Sequence, residues 1–471
     1  MILRRVSKME LSDLPPEIIL IILDYLETTA ALKDICLVSK KFCAIAQPLL
    51  YHEIILGPED VLLSILLLCR TVTTCPHIAA HVQQLDIDTD NPGFLLAEGE
   101  NNSNAVNQDK LPVADIHLLE KEAQNINLSD IDASRFGTEI GDSVIFSMLI
   151  ISRTQNLRSL VITLDPQGLS LLIGLAQGRM NAHTSLPCRN SLERLHLRCR
   201  KGRYNDRMNM NNIARLLSLL PLREIQISEY CSGGQASPKT DDADVTPLSS
   251  VSASSLSLCG SSIEETDIDA LVGLCKNLTA FYCGQCGSHN HQLSPQRLYS
   301  LLFCRRDSLR VLQLSFGDPF ANPPIFRDSQ FGGSLKQFVV LEYLILDQVY
   351  LSTTPEFPSS LKHLAIRECR SPIAQLLAHI AECVLNGQLP NLQYISLHSN
   401  ITHPGRMINL PQRGATDILF NKACQNLQNI LDGTEITLQL EKNLLDKTVQ
   451  GYRAAYEFGQ PGVFWPFIFL E

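Results

Sequence analysis

Two cysteines and two histidines lie close together in the middle of the chain, at Cys283, Cys286, His289 and His291. A C-x-x-C pair with nearby histidines has zinc-like spacing, because thiolate and imidazole are ligands that zinc prefers. We favour a structural role, because Cys283 takes the last apolar position of a repeated pattern described below and Cys286 lies three residues further on. We therefore expect no cofactor. A zinc or redox site at Cys283 and Cys286 is the alternative.

No other group of residues has the spacing of a catalytic motif. The chain has no G-x-S-x-G, no P-loop and no dinucleotide fingerprint, and His77 and His81 lack an intervening glutamate. The formal net charge of −10 disfavours binding to nucleic acid, which requires a basic face. The apolar run Ile18–Leu23 spans six residues, whereas a membrane span needs about 20. We expect a non-catalytic protein with protein partners and with neither nucleic-acid nor membrane binding.

A recurring apolar-x-x-apolar-x-apolar pattern predicts the elements that position the other residues. Its copies begin at Val82, Leu157, Leu192, Leu222, Ala253, Leu278, Leu309, Leu341, Leu361 and Leu392. From Leu157 onward they are spaced by 20 to 35 residues, which is typical of leucine-rich repeats with degenerate units. Each unit would place a short strand beside its neighbours and return through a helix or a loop. The pattern predicts an α/β solenoid with a parallel strand face.

A dense apolar block precedes the repeats. Ser12 and Asp13 are N-cap candidates, and a proline pair follows at the position of a first helical turn. Apolar side chains then recur at four-residue intervals, at Leu14, Ile18, Ile22 and Leu26. Most residues between them are apolar as well, so we expect a partner protein to cover part of this helix.

This block, residues 9–56, resembles an F-box. The matching residues are Leu14-Pro15-Pro16-Glu17-Ile18, Ile22, Leu26, Leu37-Val38-Ser39-Lys40, Phe42 and Pro48-Leu49-Leu50-Tyr51. The resemblance implies a small all-α module that binds a Skp-type adaptor and, through it, a cullin–RING ligase. The adaptor-binding residues that it implies are Leu14, Pro15, Glu17, Ile18, Ile22, Leu26, Leu37 and Val38.

With its F-box-like block and its irregular repeats, the chain resembles a fungal-type family of F-box proteins. It implies a substrate-recognition subunit of an SCF-type E3 ubiquitin ligase, with the solenoid binding an unknown protein substrate. The alternative is a non-ligase F-box scaffold or regulatory protein.

The repeat register predicts which side chains point outward from the strands, and two clusters of these are candidates for substrate binding. The first comprises Arg194, His196 and Arg198, followed by Arg200, Lys201 and Arg203. The second comprises Tyr343, His363, Arg367, Tyr394 and His398. Arginine and aromatic residues suit an acidic or phosphorylated segment. The alternative is an ordinary solvated sheet face.

The remaining segments complete the predicted organisation. A connecting helix and the first strand occupy residues 57–90, a partly mobile insertion occupies 91–139, and the solenoid occupies 140–412. Capping helices and an apolar tail follow in 413–471, with the last helix predicted over Leu440–Tyr456. The 15 cysteines are irregularly spaced and no signal peptide is recognised, so we expect reduced thiols and a cytoplasmic and/or nuclear location.

Overall fold

A computed structural model describes residues 11–26, 28–56, 61–88, 118–119, 121–124, 139–178, 186–199, 208–230, 250–259, 263–284, 295–315, 333–367, 369, 373–398 and 413–441. The chain forms two compact units. The first comprises Met1–Ile162 and Gly174–Leu192, and the second comprises Thr163–Ile173 and Glu193–Glu471.

The first unit begins with three short helices, α1 (Pro16–Asp24), α2 (Thr29–Val38) and α3 (Lys40–Leu50). Pro16 stands at the first position of α1, where the missing N–H removes no hydrogen bond. The hydroxyl of Thr28 accepts from the N–H of Ala31 at the start of α2, and that of Ser39 accepts from the N–H of Phe42 at the start of α3. These side chains satisfy donors that a helix start otherwise leaves open.

Strands and helices continue the first unit after α3. They are β1 (Glu53–Leu56), α4 (Val61–Thr74), α5 (Pro76–Ala79), β2 (Gln84–Ile87), α6 (Glu139–Arg153) and β3 (Ser159–Leu164), whose last two residues belong to the second unit. Strand β2 pairs in parallel with β1 on one side and β3 on the other. Only Tyr51 and His52 separate α3 from β1, and the carbonyl of His52 accepts from the N–H groups of Gln83 and Gln84. The helical block therefore leads directly into the sheet.

The second unit contains nine further strands. They are β4 (Arg194–Cys199), β5 (Glu224–Ser228), β6 (Ser255–Cys259), β7 (Ala280–Gly284), β8 (Val311–Ser315), β9 (Tyr343–Asp347), β10 (His363–Arg367), β11 (Tyr394–His398) and β12 (Thr437–Glu441). They pair in parallel in chain order. Across both units, the described part of the chain thus contains twelve strands of parallel sheet.

Helices connect many of these strands. They are α7 (Pro166–Gln177), which crosses from the second unit into the first, α8 (Met210–Leu219), α9 (Glu265–Leu274), α10 (Pro295–Phe303), α11 (Ile373–Leu385) and α12 (Arg413–Leu431). Apolar residues at three- and four-residue spacing predict helices over 168–180, 208–220, 267–276, 295–306 and 372–385, and α7 to α11 overlap these ranges in turn. The prolines and glycines between Leu309 and Leu361 predict looped returns instead. There the described connections, one before β9 and one after it, contain only the short 3-10 turns Leu335–Gln337 and Gln348–Tyr350.

All ten copies of the apolar pattern form strands, so that prediction is confirmed. Their inward residues are fully buried, for example Leu344 and Leu346 on β9 and Leu364 on β10. This burial gives the strands of each unit an apolar side. Whether the units form one leucine-rich-repeat solenoid stays a prediction.

Two strands were not predicted, and each lies at one end of the series. Strand β1 falls inside residues 9–56, which were expected to be entirely helical. Strand β12 contains Leu440 and Glu441, so the helix predicted over Leu440–Tyr456 does not begin at Leu440, and its other residues lie outside the described part of the chain. Leu438 and Leu440 align with Ile395 and Leu397 of β11, so alternation and pairing with a neighbouring strand override the helical spacing.

Several predictions lie outside the described residues. These are a surface loop that the polar composition predicts at 232–247, most of the last predicted helix, the apolar tail, and most of the insertion at 91–139. Among the helices of the described residues, none is both long and apolar enough to cross a membrane.

Candidate functional sites

The first predicted substrate cluster lies on β4, where Arg194, His196 and Arg198 alternate along one face. His196 is buried, and its Nε2 lies 2.9 Å from the hydroxyl of Ser228 on β5. Burial, followed by the positive charge of Arg198, lowers the pKa of His196 to about 3. The imidazole is therefore neutral at pH 7.

Only part of this first cluster lies in the described residues. Arg194 stands opposite Glu224 in the register of β4 and β5. Arg200, Lys201 and Arg203 lie outside the described residues. Within the described part, the cluster consists of two arginines, one of them beside a carboxylate, and a neutral histidine.

The second predicted cluster has an aromatic ridge at its centre. Tyr343, His363 and Tyr394 occupy matching positions on β9, β10 and β11. The ring of His363 lies 6.1 Å from that of Tyr343 and 6.0 Å from that of Tyr394, with interplanar angles of 84° and 72°. Such edge-to-face contacts are favourable because the positive edge of one ring meets the negative face of the next.

The histidine of this ridge is uncharged. Its Nε2 lies 3.2 Å from the hydroxyl of Ser396, and burial lowers the pKa of His363. His398 is similar, since burial and then the positive charges of Arg367 and His363 lower its pKa to about 4. Neither imidazole supplies a positive charge at pH 7.

Arg367, the arginine of the second cluster, has an acidic neighbour. The Nε atom of Arg367 lies 3.9 Å from Oδ1 of Asp347 on the adjacent strand, and Asp347 is 1% exposed. The structure thus brings Tyr343, His363, Arg367, Tyr394 and His398 together over three strands as predicted. It makes the cluster aromatic and nearly neutral, whereas the sequence indicates a basic one.

Cys283 takes the inward strand position that the repeat register predicts for it. It is buried on β7 in line with leucines of β6 and β8, and burial raises the pKa of its thiol to about 12. Cys286, His289 and His291 lie outside the described residues. Among the residues that the structure does describe, no group of three or more histidine, cysteine, aspartate or glutamate side chains has a metal-binding arrangement.

Helix α1 has two apolar faces. Ile19 and Leu23 are buried, and they form a small core with Leu32, Phe42 and Ala46 of the two following helices. On the other side, Ile18, Ile21 and Ile22 are exposed, with Ile21 at 55%. Nine residues cannot turn both faces towards so small a core, so the second face remains at the surface.

The end of α2 adds to the same kind of exposed surface. Leu37 is 78% exposed and Val38 is 65% exposed. Ser39, which follows them, has an extended backbone and begins α3. Exposed branched apolar side chains at two places in one three-helix block constitute a surface suited to a protein partner.

The predicted docking residues divide into two groups. Leu14 and Leu26 pack against the core of the three helices, and Nζ of Lys41 donates to the carbonyl oxygen of Leu14 at 3.1 Å. The other six are exposed, namely Pro15, Glu17, Ile18, Ile22, Leu37 and Val38. Leu20, Ile21 and Tyr25 are also exposed but were not predicted as docking residues. They lie outside the four-residue spacing because the exposed face of α1 is broader than a single row of residues.

Comparison with protein-family models identifies this block. The family described as F-box-like matches residues 11–57. The chain contains an F-box-like domain. Comparison of the whole chain with curated proteins gives no match.

The F-box-like domain belongs to the first compact unit. F-box domains generally bind Skp-type adaptors. The match ends one residue after β1, so the domain comprises the three helices and the first strand of the sheet. Ile19 and Leu23 contribute to the core of the domain, and Ile18, Ile21 and Ile22 lie on its exposed outer face.

Proposed function

We propose that the protein is the substrate-recognition subunit of an SCF-type E3 ubiquitin ligase. In this proposal the F-box-like domain binds a Skp-type adaptor, and the parallel strand face of the second unit binds the substrate. The chain itself performs no chemistry. Its contribution to the rate comes from holding substrate and ubiquitin-charged enzyme in one assembly, which raises their effective concentration.

The exposed apolar face of α1 carries this proposal. Ile18, Ile21 and Ile22 expose their side chains although the core beneath them is complete. Full burial of one such side chain is worth about 1.5–3 kcal/mol. A partner that covers this face and Leu37 therefore gains affinity by burying these side chains. In the isolated chain they stay exposed to water.

A triple substitution tests adaptor binding without disturbing the core. Ile18, Ile22 and Leu37 are exposed and are predicted docking residues, so replacing all three with aspartate leaves Ile19 and Leu23 in place. We expect loss of pull-down by a purified Skp-type adaptor. Val339→Asp is the matched control, because Val339 is 58% exposed and lies in the second unit. Unchanged adaptor binding by the triple variant contradicts the proposal.

A second measurement separates a ligase subunit from a scaffold. The protein, purified from cells with its adaptor, is examined for a cullin. We expect stoichiometric cullin that disappears in the triple variant. Adaptor without cullin would instead favour the non-ligase scaffold.

A further inference from the structure

The outward face of strands β6 to β12 has an unusual composition. In the pairing register, one outward row runs from Ser255 to Thr437 and the next from Ser257 to Gln439, with two positions on each of seven strands. The first row consists of serine, alanine, valine, tyrosine, histidine, tyrosine and threonine. The second consists of serine, tyrosine, glutamine, isoleucine, alanine, serine and glutamine.

None of these fourteen positions holds an aspartate, glutamate, lysine or arginine. Charged residues make up 19% of the chain, and they concentrate at protein surfaces. Four of the fourteen side chains, Gln313, His363, Ala365 and Ser396, are buried. The ten that reach the surface include no ionised group, so this face differs from an ordinary solvated one. Its histidine adds no charge, because burial lowers the pKa of His363 and its Nε2 lies within hydrogen-bonding distance of Ser396.

Two groups of charges at the borders of this face contain ions of opposite sign. At the ends of the strands, Arg367 lies 3.9 Å from the carboxylate of Asp347. At their beginnings, Glu342 accepts hydrogen bonds from Arg310 at 2.5 Å and from Lys362 at 3.2 Å. An incoming phosphate or carboxylate must therefore compete with an internal carboxylate for each of these cations.

We propose that this face binds an uncharged apolar segment of a partner protein that contains aromatic or branched aliphatic side chains. Its contact surface centres on Tyr282, Val311, Tyr343, Ile345 and Tyr394. The proposal deepens the function proposed above, on which it rests, by naming the chemical class of substrate.

Two physical arguments favour this occupant. Apolar side chains placed against Val311, Ile345 and the tyrosine rings are removed from water, which favours binding. Ionised groups placed there lose part of their hydration without gaining an opposite charge, which disfavours binding. The hydroxyls of Tyr343 and Tyr394 can form hydrogen bonds that fix the orientation of the segment.

Binding to synthetic peptide pools provides the test. The full chain, alone and mixed with the adaptor, is titrated with four pools of short degenerate peptides. Their central positions are apolar and aromatic, glutamate-rich, phosphoserine-containing, or lysine-rich. We expect the apolar pool to bind about tenfold or more tightly than each of the others, a difference of about 1.4 kcal/mol or more.

Two variants locate the binding on this face. Ile345→Asp places a charge at its centre, and Tyr394→Ala removes a ring that is 39% exposed and so leaves the core intact. Each should weaken binding of the apolar pool about tenfold. Val339→Asp is the control and should leave binding unchanged.

The outcomes distinguish this inference from the proposed function. If the wild-type chain retains the adaptor but binds the glutamate or phosphoserine pool best, or binds no pool, the inference fails and adaptor docking stands. The inference also fails if neither Ile345→Asp nor Tyr394→Ala weakens binding. If the apolar pool binds while the adaptor does not, the docking proposal fails and the peptide-binding face stands.

Discussion

Arg367 and Asp347 lie on adjacent strands, with the guanidinium Nε 3.9 Å from a carboxylate oxygen that is almost completely shielded from water. The arginine balances a charge within the protein and is not simply a free cation of the surface. This relationship changes the meaning of the second cluster. A set of residues that looks basic in the sequence is close to neutral in the fold.

Breaking this pair should destabilise the second unit. Arg367→Leu removes a positive charge beside a buried carboxylate, and we expect the free energy of unfolding to fall by about 1–3 kcal/mol. Combining it with Asp347→Asn should recover part of the loss, because the uncompensated charge is then removed. Urea unfolding followed by circular dichroism measures both. Equal stability of the Arg367→Leu and double variants would contradict a coupling between the two side chains.

His196 predicts a specific dependence of stability on pH. Burial lowers the pKa of its imidazole from 6.5 to about 3 in the folded protein. Below pH 6.5 the unfolded chain therefore binds a proton that the folded chain excludes. This contribution to stability is fully present above pH 6.5 and is lost progressively as the pH falls towards 3, by at most about 1.4 kcal/mol per pH unit.

The variant His196→Gln tests this origin. Glutamine keeps a hydrogen-bonding group near Ser228 but does not titrate, so the free energy of unfolding should fall less steeply between pH 6.5 and 4. His77→Gln is the control, because His77 is exposed on the short helix α5. A slope identical to that of the wild-type protein in His196→Gln would disprove the assignment.

Two residues of α1 should respond in opposite ways to substitution. Ile19 is 1% exposed and Ile21 is 55% exposed. We expect Ile19→Ala to destabilise the first unit by about 2–4 kcal/mol through lost burial and an unfilled cavity. Ile21→Ser should change stability by less than about 0.5 kcal/mol while weakening adaptor binding. Thermal unfolding together with an adaptor titration reports both effects, and the reverse pattern would mean that the faces of α1 are wrongly assigned.

Two glycines allow a test of how backbone conformation affects stability. Gly387, just after α11, has φ of +64°, and Gly273 within α9 has no such constraint; an added Cβ meets no atom within 4 Å at either position. Gly387→Ala should therefore cost about 1 kcal/mol from strain alone. Gly273→Ala should stabilise the protein by about 0.5–1 kcal/mol, because alanine favours the helix. Differential scanning calorimetry should show shifts of opposite sign, and shifts of equal sign would contradict this reading.

The repeated strands follow directly from the sequence. An inward leucine or isoleucine at every second position permits only one side of the strand to face the core, so each of the ten copies from Val82 to Leu392 identifies a strand and its register. The terminal strands β1 and β12 were not predicted for two separate reasons. Strand β1 lies inside the block that the F-box resemblance assigns to an all-α module. In β12 the alternating Leu438 and Leu440 are present, but the first apolar position of the pattern holds Glu435.

The F-box-like domain was recognisable from local residues, because proline, cap and apolar spacing all act within one or two helical turns. The division of its apolar residues into a core face and an outer face could not be recognised from local residues. Leu14 and Leu26 share a four-residue spacing with Ile18 and Ile22, yet the first two pack inward because α1 runs only from Pro16 to Asp24 and its ends meet the other helices.

The amino-acid sequence by itself determined the strand register, the helical returns and the amino-terminal domain, since each depends on periodicity between near neighbours. Only the tertiary structure decided which side chains carry charge. The predicted register already places His363 between two tyrosines and Arg367 opposite Asp347. The 3.9 Å separation of the charged groups and the burial that lowers the pKa of His363 depend on how the packed strands shield these side chains from water. Electrostatic character depends on distance and burial, and neither is fixed by the register alone.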